Sequence, residues 1–77
     1  MEEELVKLRD GLKEYVPGNR KKIASKAGCS AATVNNVLMG TSKDTKYNII
    51  GIAVEMLKEA IERQNDNMEK LKEIVNQ

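Results

Sequence analysis

Seventy-seven residues with a net charge of +1 suit one small domain, and the absence of Phe and Trp leaves a core of aliphatic side chains. There is no histidine and a single cysteine, Cys29, which excludes an internal disulfide, the commonest general base and the usual metal ligands. Without a nucleophile–base pair or carboxylates at ligand spacing, the composition argues against an enzyme and against a bound metal or cofactor.

A chain this short buries only about 60% of its unfolded surface. Its core is therefore marginal, and such domains are often supported by oligomerisation. With no signal peptide and no long apolar run, the chain is expected to be soluble and cytoplasmic, with no membrane contact. The charge is unevenly spread. Residues 1–18 sum to −2 and residues 47–77 to −2. Residues 19–46 carry Arg20, Lys21, Lys22, Lys26, Lys43 and Lys46 against Asp44 alone, giving +5. A concentrated positive stretch suits a phosphate-facing surface. A solvated lysine face is the plain alternative.

Along the chain, Leu5, Leu8 and Leu12 form one apolar stripe, predicting a helix from Glu2 to about Tyr15. Glu2, Glu3 and Glu4 sit at its start, where the helix dipole favours negative charge. Gly11 lies within it and suggests a close backbone contact. Val16-Pro17-Gly18 ends the helix. Asn19 is expected to cap a second helix bearing Ile23, Ala24 and Ala27. Gly28 closes that helix, since Gly adopts the left-handed conformation cheaply.

Ser30 caps a third helix, which carries Val34, Val37 and Leu38 and stops at Gly40. Ser42 reads as the cap of a fourth helix, with Asp44 in its first turn. Its apolar positions run from Ile49 and Ile50 to Ala60 and Ile61. Gly51 within it signals close packing or a local weakness. Gln64-Asn65-Asp66-Asn67 either end one helix and cap another or form an exposed stretch of one long helix. The fold class is thus all-α: a small four- to five-helix domain over residues 1–63 and a C-terminal helical tail over 64–77.

The stretch 20–39 has the pattern of a helix-turn-helix. Two short helices crossing steeply need a small residue at the contact, which Ala24 supplies. They also need a residue tolerant of positive φ in the turn, which is Gly28. Ile23, Ala27, Cys29, Val34 and Val37 then point inward. A buried Cys behaves as a small hydrophobe, so a redox role for Cys29 is not favoured. Ala31, Ala32, Asn35 and Asn36 are left facing out. Asn can pair bidentately with adenine and Ala can meet a thymine methyl; simple solvation of the asparagines is the alternative. Phosphate contacts are expected from Ser30 and Thr33 in the first turn of the third helix, where free amides attract anions. Asn19, Arg20, Lys21, Lys22 and Lys26 flank it on one side. Thr41, Ser42, Lys43 and Lys46 flank it on the other.

These residues resemble the DNA-binding headpiece of the lac repressor family, within the lambda-repressor-like helix-turn-helix class. Ala24, Ala27, Gly28, Ser30, Thr33, Val34, Val37, Leu38 and Gly40 match the family's pattern. Ser42 and Thr45 match its continuation, with Lys46 replacing Arg. The resemblance covers about half the chain and implies that Ala31, Ala32, Asn35 and Asn36 hold base-reading positions. The family's Ser-Arg is Asn35-Asn36 here, so operator preference does not carry over. The family's effector domain has no counterpart, so no small-molecule ligand is implied.

The expected function is sequence-specific binding of double-stranded DNA, as in a small bacterial or phage transcriptional regulator. The competing reading is a protein-interaction module using the basic face. Finally, Ile50, Val54, Leu57, Ile61, Gln64, Met68, Leu71 and Val75 recur at alternating spacings of four and three. That is a heptad seam. It suits a homodimer through the C-terminal helix, against the alternative of a tail folded back on its own core.

Overall fold

A computed structural model describes residues 2–76. Four helices follow in order: α1 (Glu2–Tyr15), α2 (Asn19–Ala27), α3 (Ala31–Leu38) and α4 (Ile49–Val75). No strand occurs among the described residues, so the protein is all-helical as expected.

Helix α1 buries Leu5 and Leu12 and half-buries Leu8, the stripe its sequence spacing demands. It ends where Pro17 lacks a donor; the last bond runs from the Val16 amide to the Leu12 carbonyl at 2.8 Å. At Gly11 α1 comes close to α4, because a Cβ there would lie 2.7 Å from Leu57 Cδ2. The missing side chain is what lets Leu57 lie against the α1 backbone.

The start of α2 corrects one expectation. Asn19 does not cap the helix but is its first residue, and Gly18, at φ 70°, holds the cap position. Asn19 is buried, and its Nδ2 donates to the Val16 carbonyl at 3.2 Å. The carboxamide satisfies the end of α1 rather than the start of α2.

The start of α4 corrects another. Residues 42–48 are not helical, and Ser42 caps nothing. The cap is Asp44, reaching forward from the loop. Its Oδ1 accepts from the Ile49 amide at 2.7 Å and its Oδ2 from the Ile50 amide at 2.8 Å. A carboxylate here also meets the positive end of the helix dipole. Asn48, at φ 56°, occupies the cap position without a side-chain cap bond. Its carboxamide lies over Gly51, within 2.5 Å of where a Cβ would stand.

From Ile49 the helix continues unbroken through Gln64-Asn65-Asp66-Asn67 to Val75, so the described residues form four helices. The 63/64 boundary drawn from sequence lies inside α4. Glu59 and Arg63, then Asp66 and Lys70, stand at the four-residue spacing that supports an exposed helix.

The core gathers residues from every helix: Leu12, Ile23, Val34, Leu38, Ile49 and Ala53 are at most 1% exposed. Each such Leu, Ile or Val contributes about 1.5–3 kcal/mol relative to leaving it in water. All of them precede residue 54, so the C-terminal half of α4 adds nothing to this core. The chain's radius of gyration is 14.8 Å, whereas a compact chain of this length has about 11.5 Å. The projecting end of α4 accounts for the excess.

Candidate nucleic-acid interface

Helices α2 and α3 are joined by Gly28, Cys29 and Ser30. Gly28 takes φ 78°, and its amide bonds the Ala24 carbonyl at 2.8 Å. The Cys29 amide donates to the same carbonyl at 3.1 Å. Cys29 is half-buried against the core, as are Ala27 and Ala31. Ser30 then caps α3, its Oγ accepting from the Thr33 amide at 3.1 Å. Ile23 and Ala24 on α2 and Val34, Val37 and Leu38 on α3 are buried. The inward positions read from sequence are therefore correct.

The outer face of α3 carries Ala32, Asn35 and Asn36, all exposed, and no charge. Ala31, assigned to the same face from sequence, is instead half-buried against the core, because it lies three residues before the buried Val34 and so on the inward face of the helix. The outward-facing set is smaller than expected by that residue. Asn35 is also not free of neighbours: its Oδ1 accepts from Arg20 Nε at 3.3 Å.

The basic residues divide into two groups. Lys21, Lys22 and Lys26 of α2 are exposed, as are Lys43 and Lys46 of the loop before α4; Lys22 and Lys26 also border one shallow cleft, Lys21 a second and Lys43 a third. Lys46 Nζ lies 5.4 Å from the Tyr47 ring centroid, a cation–π distance that steadies the side chain without neutralising it. Arg20 is half-buried; its Nη1 donates to Asn19 Oδ1 at 2.6 Å while Nε holds Asn35. Its guanidinium ties the start of α2 to the outer face of α3.

Two of the expected phosphate donors are committed elsewhere. Asn19 is buried and holds Val16 and Arg20. Thr41 donates its hydroxyl to the Asn36 carbonyl at 3.0 Å, and the Thr41 and Ser42 amides reach the same carbonyl at 2.9 and 3.2 Å. That oxygen is an end-of-helix acceptor, and the turn after α3 folds to satisfy it. Thr41 keeps no side-chain donor for a ligand in this arrangement, and Asn19, with one of its two Nδ2 protons engaged, is buried. Ser30 and Thr33 share one hydroxyl–hydroxyl bond of 2.9 Å, which leaves one of their two protons available. Ser42 is exposed.

Asp44 is the one acid among residues 19–46, and both its oxygens are engaged with α4 amides. The positive surface thus has no competing carboxylate within its own segment. Two supporting residues escape a reading of the sequence. Arg9 of α1 donates from Nη1 to the Leu38 carbonyl at 2.8 Å, placing a cation at the negative end of α3. Asp44 is the other in its role alone: the sequence reading sets it in the first turn of the fourth helix behind a Ser42 cap, whereas it caps α4 from the loop. A carboxylate five residues before an apolar helix start carries no short-range capping signature. No described helix is long and apolar enough to cross a membrane. The chain matches no family model, no curated protein and no solved structure.

Proposed function

We propose that α2 and α3 form a DNA-binding helix-turn-helix and that the protein binds double-stranded DNA sequence-specifically, as a small transcriptional regulator does. The observation that carries this reading is the uncharged outer face of α3, with exposed Ala32, Asn35 and Asn36, between lysines on either side. A surface helix without charge is unusual in a chain that is 32% charged. It suits an element that must come within hydrogen-bond distance of base edges. Lys21, Lys22 and Lys26 on one flank and Lys43 and Lys46 on the other supply the phosphate contacts that set position. The resemblance to the lac repressor headpiece agrees with this division, with Ala31 as a supporting rather than a reading residue.

Selection of bound duplexes from a random pool, followed by a salt titration on the winning site, tests the reading. A consensus emerges, and affinity falls with salt at a log–log slope of about −0.9 per phosphate neutralised. A pool that returns no enriched sequence, with binding absent at low salt, sinks it. An acidic protein partner would then be the better explanation of the basic face.

A further inference from the structure

The C-terminal half of α4 is covered by nothing in its own chain, yet it is not a polar helix. Met68, Leu71, Ile74 and Val75 are 48–72% exposed, and Val54 stands 48% exposed closer to the core. Ile50 and Leu57 belong to the same seam but lean on the core, Leu57 against Gly11 of α1. The unpartnered part of the seam is therefore Ile61, Gln64, Met68, Leu71 and Val75. The unbroken helix excludes a tail folded back on its own domain.

We infer that this seam pairs with the same seam of a second copy as a parallel, in-register two-stranded coiled coil. The residue types fix both the partner and the direction. With the spacings of four and three, Ile61, Met68 and Val75 take the a positions and Gln64 and Leu71 the d positions of the unpartnered stretch, in phase with Val54 at a and the core-packed Leu57 at d. All the a residues but Met68 are β-branched, and β-branched residues at a with Leu at d favour parallel pairs. The flanking charges select direction. Lys58, Asn65 and Lys72 lie at e, and Ala60, Asn67 and Ile74 at g. A parallel pair sets e against g, so Lys72 of one copy faces Asn67 of the other and no like charges meet. In the antiparallel register that sets Ile61 against Leu71 and Gln64 against Met68, e flanks e and Lys58 of one copy comes beside Lys72 of the other. That like-charge contact opposes it. Gln64 contributes register: in a parallel pair it meets Gln64 of the second copy, where two carboxamides can bond each other. Any shift buries each against an apolar side chain.

The arrangement sets both α3 helices at the same end of the coil, related by a two-fold axis along it. This inference does not rest on the DNA-binding reading, and its test uses no DNA. Sedimentation equilibrium of the full chain at tens of micromolar gives twice the chain mass. The Met68→Glu/Leu71→Glu variant, altered only at exposed positions, sediments as one chain with its circular dichroism still that of a folded helical protein. For direction, Val75→Cys in a Cys29→Ala background forms a covalent dimer on mild oxidation, because position 75 meets itself only in a parallel pair. A single-chain mass for the native protein overturns the inference, as does a dimer that survives both glutamates. A Val75→Cys dimer whose thiols stay unlinked overturns the parallel direction.

Discussion

Arg20 Nε on α2 donates to Asn35 Oδ1 on α3 at 3.3 Å, while the same guanidinium donates to Asn19. The acceptor atom that an asparagine offers to adenine N6 is therefore the one that Arg20 holds. The contact also fixes which way the carboxamide faces, with its NH2 left outward. Arg20→Ala releases that orientation. The expected outcome is a weakened preference at the base position read through Asn35, on top of a uniform affinity loss from the removed charge. Arg20→Lys keeps the charge but not the fork, so it restores affinity more than preference. Base-by-base competition binding reads both effects. Equal preference in the native protein and in Arg20→Ala would show that the contact has no part in recognition.

Lys22 and Asn36 separate affinity from specificity. Lys22 is exposed on α2 and has no base within its argued role, so Lys22→Ala weakens all duplexes alike. It lowers the salt slope by about 0.9. Asn36 is exposed on the uncharged face of α3. Asn36→Ala relaxes preference at one base position by about 1–3 kcal/mol and leaves the salt slope unchanged. Binding curves on a set of single-base site variants at two salt concentrations distinguish the patterns. A uniform loss from Asn36→Ala would mean that the reading face has been drawn in the wrong place.

The helices and the inward face of α2 and α3 are legible in the sequence because their signals are periodic and local. Leu5, Leu8 and Leu12 mark α1, Gly28 marks a turn, and Ser30 caps α3 with the bond its position predicts. The misreadings at Asn19, Ser42 and Thr41 share a cause. Each is a polar side chain that short-range rules assign to a helix start or to a ligand. Each meets a stronger competitor: the Val16 carbonyl for Asn19, the Asp44 carboxylate for Ser42's capping role, and the Asn36 carbonyl for Thr41. Those competitors are set by where the chain turns, which periodicity does not encode. The ties of Arg9 to Leu38 and of Arg20 to Asn35 span 29 and 15 residues and have no sequence signature.

Asp44 should matter more to stability than any other loop residue between α3 and α4. Its carboxylate meets two amides that otherwise have no partner in α4. Asp44→Ala removes both bonds and costs about 1–2 kcal/mol, which in a domain of this size lowers Tm by about 4–8 °C per kcal/mol. Asp44→Asn keeps one acceptor oxygen and loses less. Ser42→Ala, at the position the sequence favours for the cap, leaves Tm within the scatter of repeated melts. Thermal unfolding followed by circular dichroism compares the three. A larger loss at Ser42 than at Asp44 would reverse the assignment of the α4 cap.

Gly28 tests the hinge between α2 and α3 without touching either outer face. Its φ of 78° is left-handed, and no atom lies within 4 Å of where a Cβ would stand. The cost of a side chain there is therefore backbone strain alone, with no clash to relieve. Gly28→Ala is expected to lose about 1–2 kcal/mol, and Gly28→Asn less, because Asn tolerates the left-handed region better than Ala. If both variants melt together and below the native protein, a steric clash rather than strain is responsible. If Gly28→Ala melts with the native protein, the connection between the two helices has a different conformation in solution. The same variants report on function, because strain at Gly28 is relieved by reorienting α3 against α2. Duplex affinity should fall in the order native, Asn, Ala, with the salt slope unchanged because every lysine is still present.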